Sequence, residues 1–196
     1  MNAKVISVRA KDGKAPLVIL YTDCDGKKSK YTISEGTYRD IGCPLSGEIL
    51  DEDTLYIVAK EDERLRAIKK ALNLLSYADN NEKKLYTKLV LAGFGKEASK
   101  NAVCECVRLG YVNEERQIER LIIRYWGELH GPDKIIYKLI SKGYNGGLAY
   151  RIMQTLERNG EIDFDASKEK LIEKKLPCDA SEADKRKLLY KFGFKK

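Results

Sequence analysis

Three stretches decide how this chain is read: KLVLAGF at Lys88–Phe94, KLISKGY at Lys138–Tyr144 and LLYKFGF at Leu188–Phe194. Each ends an apolar, helix-like segment with a glycine followed by an aromatic residue, and each lies fifty residues from the last. A glycine just past a helix cap enters the left-handed conformation without steric cost, and the next residue folds back onto the residue five earlier. The expected partners are Leu89, Leu139 and Leu189, again in step. Gly110 and Gly160, Lys84 and Lys134, Leu85 and Ile135, Ala102 and Ile152, Val103 and Met153, and Cys106 and Leu156 keep the same offset. Self-similarity at one period is the mark of a tandem array, whose units bury their core against neighbours and leave a long surface for a partner.

Outward from these segments the helical period continues. Leu65, Ile68, Leu72 and Leu75 form one apolar stripe. Further helices are expected at 82–92, 96–109, 114–129, 132–142, 146–158, 166–176 and 182–192. Pro132 suits a first helical position and Ser181 a cap. The first sixty residues read as strands instead: Val5–Ala10, Leu17–Thr22, Lys27–Ser34 and LYIVA at Leu55–Ala59, with hairpin signals at Asp12-Gly13 and Asp25-Gly26. The expected fold is mainly α. A small antiparallel, β-rich domain (1–60) precedes an elongated array of three-helix repeats (61–196), with units at about 61–110, 111–160 and 161–196, the last truncated.

The chain has 196 residues, 43% hydrophobic and 34% charged, which suits a globular protein. No apolar run approaches a membrane span, and the start lacks a secretory signal, so a cytoplasmic protein is expected. Five cysteines fit no disulfide framework. Cys104-x-Cys106 lacks a second ligand pair, which favours core thiols over a metal site. The net charge of +7 is uneven: residues 1–60 carry nine basic against nine acidic side chains, and residues 168–196 carry ten against five. Such a bias suits an anionic partner or a solvated lysine-rich face.

No catalytic constellation emerges, and no cofactor or metal is expected. GFGK at Gly93–Lys96 lacks the Ser or Thr that a phosphate loop requires, Glu97 standing in its place. His130 has no nucleophile partner and reads as a helix-closing residue whose imidazole meets the negative end of the dipole. Asp51-Glu52-Asp53 reads as solvated surface before a strand. The candidate binding residues are cations. Arg116, Arg120 and Arg124 stand four apart, opposite Ile118, Leu121, Ile122 and Tyr125, while Glu115 and Glu119 could neutralise part of the stripe. Lys84 and Lys88 recur as Lys134 and Lys138. Arg151, Lys185, Arg186 and Lys187 complete the set.

From about Ala67 onward the chain resembles the RecX family, regulators of the RecA recombinase. The resemblance rests on Ala71–Leu75, Glu82–Phe94, Leu109–Arg116 and Gly131–Tyr144, with the family's glycine-aromatic-aliphatic-acidic-acidic signature standing as Gly110-Tyr111-Val112-Asn113-Glu114. Two places depart from the family pattern: Tyr77–Asn81, where arginines and a serine are usual, and Gln117-Ile118, where an aromatic and an alanine are usual. The resemblance implies three three-helix units in a curved, monomeric array that binds the RecA filament on single-stranded DNA. It further implies restraint of filament extension, ATP hydrolysis, strand exchange and SOS coprotease activity. The alternative is a helical module that grips nucleic-acid phosphates without RecA.

Overall fold

The computed structural model describes residues 2–11 and 16–194, and the expected turn at Asp12-Gly13 lies outside them. Four strands, β1 (Ala3–Lys11), β2 (Leu17–Cys24), β3 (Lys27–Ser34) and β4 (Ile49–Leu50), form an antiparallel sheet ordered β3-β2-β1-β4. The Asp25-Gly26 signal is a hairpin turn with both residues at positive φ, and Gly26 N–H donates to Asp23 Oδ1 at 2.7 Å. Nine helices appear among the described residues: α1 (Glu35–Asp40), α2 (Glu52–Tyr77), α3 (Glu82–Leu91), α4 (Lys96–Arg108), α5 (Glu114–Gly127), α6 (Pro132–Ser141), α7 (Gly146–Arg158), α8 (Phe164–Lys175) and α9 (Glu182–Phe192). The chain is mainly helical with a small N-terminal sheet.

Two expectations for the first sixty residues are corrected. LYIVA is not a strand but the second turn of the 26-residue helix α2, and the fourth strand is the two-residue β4. Asp51 accepts from Thr54 N–H at 2.8 Å, and Glu52 and Asp53 sit in the positively charged first turn. That cap, and the burial of Val58 against Val18, Leu20 and Ile33, outweigh the weak strand preference of Ile57 and Val58. The acidic triplet therefore opens a helix. Helix α1, which the strand pattern did not suggest, is capped by Ser34, whose hydroxyl accepts from Thr37 N–H.

The chain divides into two compact units. The first comprises Met1–Ala78 with Leu85–Tyr111, the second Asp79–Lys84 with Val112–Lys196. In the first, the inner face of the sheet packs on α2, whose other neighbour is α4. The half-buried helix residue Glu63 accepts from Gly95 N–H at 2.7 Å, so a carboxylate already occupies the N-terminus of α4, where GFGK would have held a phosphate.

The fifty-residue offset reappears in the helix boundaries. The starts of α3, α6 and α9 fall at Glu82, Pro132 and Glu182, those of α4 and α7 at Lys96 and Gly146, and those of α5 and α8 at Glu114 and Phe164. Gly93, Gly143 and Gly193 have φ of 91°, 92° and 87°, and Phe94, Tyr144 and Phe194 donate back to the carbonyls of Leu89, Leu139 and Leu189 at 3.0–3.2 Å. These are the expected Schellman closures. Leu85, Leu89, Ile135 and Leu139 are all fully buried, which is why the repeat preserves them.

In the second unit, the end of α9 docks on the start of α6. Gly131 N–H donates to Phe192 O at 2.8 Å and Asp133 N–H to Gly193 O at 3.1 Å, joining the orphan donors of one helix to the orphan acceptors of another. Only glycine fits this approach: a Cβ on Gly131 would lie 2.4 Å from Gly193 O, and one on Gly193 2.4 Å from Lys134 Cβ. Fifty residues earlier, Asn81 takes the place of Gly131. Its side chain caps Lys84 N–H at 2.8 Å and donates to Lys142 O at 3.0 Å, bridging the same kind of junction.

Gly160, at φ 76°, has open space where a β-carbon would stand, with no atom within 4 Å, unlike Gly193. Gly160→Ala should therefore lose only the left-handed cost of about 1–2 kcal/mol. Gly193→Ala should lose a further 1–3 kcal/mol, roughly, from overpacking against Lys134. Urea unfolding midpoints of the two variants will show the difference.

Candidate functional site

Helix α5 presents the arginine stripe as expected. Asn113 caps it, accepting from Arg116 N–H at 2.9 Å; Ile118, Ile122 and Tyr125 face the core, and Arg116, Arg120 and Arg124 are exposed. Their ion-pair partners are not Glu115 and Glu119. Arg120 pairs with Asp79 at 2.6 Å and Arg124 with Glu128 at 3.2 Å, while Arg116 has no ion-pair partner among the described residues. Exposed pairs of this kind contribute less than about 1 kcal/mol, so an anionic partner can displace them at small cost.

Lys134 and Lys138 behave differently from Lys84 and Lys88, which are exposed on α3. Both are half-buried. The Lys138 ammonium lies 4.4 Å from the Tyr125 ring centre, against His130 Nε2 and 3.7 Å from Glu128. Lys134 lies 4.8 Å from the Phe192 ring centre and donates to Lys191 O at 3.2 Å, at the negative end of α9. These two lysines bind the unit's own interior. Arg151 opens on a shallow cleft shared with Glu115, Glu119 and Glu161. Lys185 pairs with Glu182 at 2.7 Å, and Arg186 and Lys187 are exposed without ion pairs among the described residues.

The structure adds residues that sequence reasoning missed. A cleft between α6 and α9 gathers Lys134, Tyr137, Tyr190 and Lys191 beside Asp133, with Tyr137 72% and Tyr190 80% exposed. The available signal was a pair of tyrosines at positions that the apolar stripe leaves to solvent. A cleft of tyrosine faces edged by ammonium groups can stack planar groups and hold anions.

The two departures from the family pattern meet each other. Gln117, 5% exposed, donates to Asn80 O at 3.4 Å and accepts from the Tyr144 hydroxyl at 3.0 Å, while Arg120 reaches Asp79. Glu114 accepts from Glu82 N–H at 3.0 Å. Burial pushes the Glu114 carboxyl up, and burial together with the nearby Glu114 and Asp79 charges pushes the Tyr144 phenol up. The polar substitutions thus form one hydrogen-bonded cluster. Gln117→Ala and Tyr144→Phe should each cost about 1 kcal/mol, and a double-mutant cycle should give a coupling of similar size.

His130 closes α5 through its backbone rather than its charge. Its N–H donates to Tyr125 O at 3.1 Å behind Leu129, which takes the left-handed position at φ 60°. The ring stacks on Tyr125 and meets Phe192 edge-on. Burial, then Lys138 and Lys134, hold its pKa below the usual imidazole value, so the expected cation at the dipole is replaced by a neutral ring. A base whose folded pKa is depressed stabilises the fold fully above its unfolded value near 6.5 and loses that stability as pH falls. Melting temperature should therefore fall between pH 7 and pH 5.5, and His130→Phe should flatten that slope.

Of the five cysteines only Cys106 is a core residue, its thiol pushed up by burial. Cys104 is exposed, because positions two apart face opposite sides of a helix, so the expectation of core thiols holds for one of the pair. No group of metal-binding side chains occurs among the described residues, and no described helix is long and apolar enough to cross a membrane.

No family model matches the chain. Among curated proteins, it is 27% identical over 164 residues to the regulatory protein RecX of Caldanaerobacter subterraneus subsp. tengcongensis, covering 84% of this chain and 82% of that one. It is 27% identical to RecX of Clostridium acetobutylicum, covering 75% and 68%. It is 32% identical to RecX of Legionella pneumophila over 94 residues, covering 48% and 63%. A crystal structure of a regulatory protein RecX superposes with a TM-score of 0.72 at 20% identity, over 98% of this chain and 95% of that one. RecX from Lactobacillus salivarius does so at 0.54 and 20%, over 67% and 86%. At that identity the structural likeness speaks for the fold.

Proposed function

We propose that this chain, which is similar to RecX regulatory proteins over most of its length, is a member of the RecX family and a non-enzymatic, cytoplasmic regulator of a RecA recombinase. It binds the RecA filament on single-stranded DNA and limits filament extension, and with it ATP hydrolysis, strand exchange and SOS coprotease activity. The observation that carries this reading is the similarity to a regulatory protein RecX over 82% of that protein's length. The exposed arginines of α5 supply a means. Arg116, Arg120 and Arg124 are displayed at one-turn intervals, with Arg186 and Lys187 on α9, and several weak contacts to a repeating partner multiply in affinity. Lys84, Lys88 and Arg151 also stand at exposed positions, whereas Lys134 lines the α6–α9 cleft and Lys138 packs on Tyr125 of α5.

A second reading, direct binding of nucleic acid by the helical repeats, is favoured by the tyrosine–lysine cleft of α6 and α9. The two readings separate in one assay. Titrated against RecA on single-stranded DNA, substoichiometric protein should slow ATP hydrolysis and shorten filaments; unchanged ATPase and filament length would reject regulation of RecA. Replacing Arg116, Arg120 and Arg124 together by Ala should raise the concentration needed by roughly tenfold or more while leaving helicity intact, since linked contacts multiply.

A further inference from the structure

The first sixty residues are electrically neutral as a sequence, yet the sheet sorts their charges by face. Register places Lys4, Ser7, Arg9 and Lys11 of β1, Leu17, Ile19, Tyr21 and Asp23 of β2, and Lys28, Lys30 and Thr32 of β3 on the side away from α2. That outer face therefore carries five cations against the single carboxylate of Asp23. All five cations are exposed, and none forms an ion pair among the described residues. Asp25, in the turn, lines one cleft with Lys4 and Asp23 at the end of this face, and the other described acids of the region lie in α1, at Glu48 and at the start of α2.

The arrangement is ordered as well as basic. Leu17, Ile19 and Tyr21 make an apolar row along the central strand, and cations flank it on both neighbouring strands. The Arg9 guanidinium lies 5.5 Å, and the Lys30 ammonium 5.9 Å, from the centre of the Tyr21 ring. Same-face residues along a strand are about 6.7 Å apart, so the cations form two spaced rows beside a flat stripe. Protection of exposed strand edges accounts for lysines on β3. It does not account for an aromatic ring on the central strand with cations drawn over it.

We propose that the outer face of this sheet binds single-stranded nucleic acid, with bases resting on the Tyr21–Ile19 row and phosphates on Arg9, Lys28 and Lys30. A flat sheet with a surface aromatic stacks unpaired bases, and flanking guanidinium and ammonium groups neutralise the backbone between them. The face shares no residue with the basic helices, and its operation requires no recombinase.

The test uses the full chain, no RecA, and a fluorescent oligothymidylate titrated by anisotropy at several salt concentrations. Wild-type protein should bind with a steep salt dependence. Changing Arg9, Lys28 and Lys30 together to Gln should weaken binding and reduce the slope of log affinity against log salt by about 2, at about 0.7 for each single-strand phosphate no longer neutralised. Tyr21→Leu should lose roughly tenfold in affinity with the salt slope unchanged, and Tyr21→Phe should bind as wild type does. Thermal melts of each variant verify the fold. The proposal is overturned if wild-type protein does not bind the oligonucleotide, or if the triple variant binds it equally well. It is also overturned if the triple variant loses only its binding to phosphatidylglycerol vesicles, which would assign the face to a membrane surface. RecA ATPase inhibition is read separately, so loss of either activity leaves the other result interpretable.

Discussion

A helix can be followed closely by another only if its last carbonyls are taken up, and in this protein a left-handed residue makes that possible at almost every turn of the repeat. Gly93, Gly110, Gly143, Gly160 and Gly193 all have positive φ, and each lets the next residue reverse onto the helix it has just left. The reversal brings an apolar side chain at the corner back onto the core, as Phe194 does against Phe164. At the α6–α9 junction the same geometry serves a second purpose. The exposed carbonyls of one helix end meet the exposed amides of another, and the absence of two β-carbons allows the approach.

Charge is distributed by that scaffold in two ways. On α5 the arginines stand clear of the core, and two of them pair loosely with Asp79 and Glu128, a state from which an anionic partner can recruit them. On α6 the equivalent-looking lysines are drawn over Tyr125 and Phe192, where their charge holds a helix end and adds to the burial that keeps His130 neutral. Identical residue types at matching repeat positions therefore do different work. Lys84 and Lys134 illustrate it: the first is exposed, and the second is covered because α9 docks beside it.

The helical part of the fold was legible because its signals are local. Period, cap and glycine stop all act within a few residues, and from Glu82 onward the expected helix boundaries fall within two residues of those observed. LYIVA misleads because its residues favour strands locally, while its fate is settled by a cap at Asp51 and by a sheet that its Val58 packs against. The arginine stripe could be read from spacing, but Asp79 as its partner could not, since forty-one residues separate them. Nor could spacing reveal that Gln117, Asn80 and Tyr144 converge, although both departures from the family pattern were visible.

By itself the sequence determined the fifty-residue period, the glycine closures, the buried positions that repeat with them and the cationic face of α5. Each depends on short-range sterics or on helical periodicity, which a linear string contains. Only the tertiary structure decided which cations face solvent and which serve the interior, that a tyrosine–lysine cleft opens between α6 and α9, and that a neutral stretch of sixty residues has a basic outer face. Those outcomes depend on strand register and helix docking, which join residues far apart in the chain, and summed charge carries no information about the side on which each charge will lie.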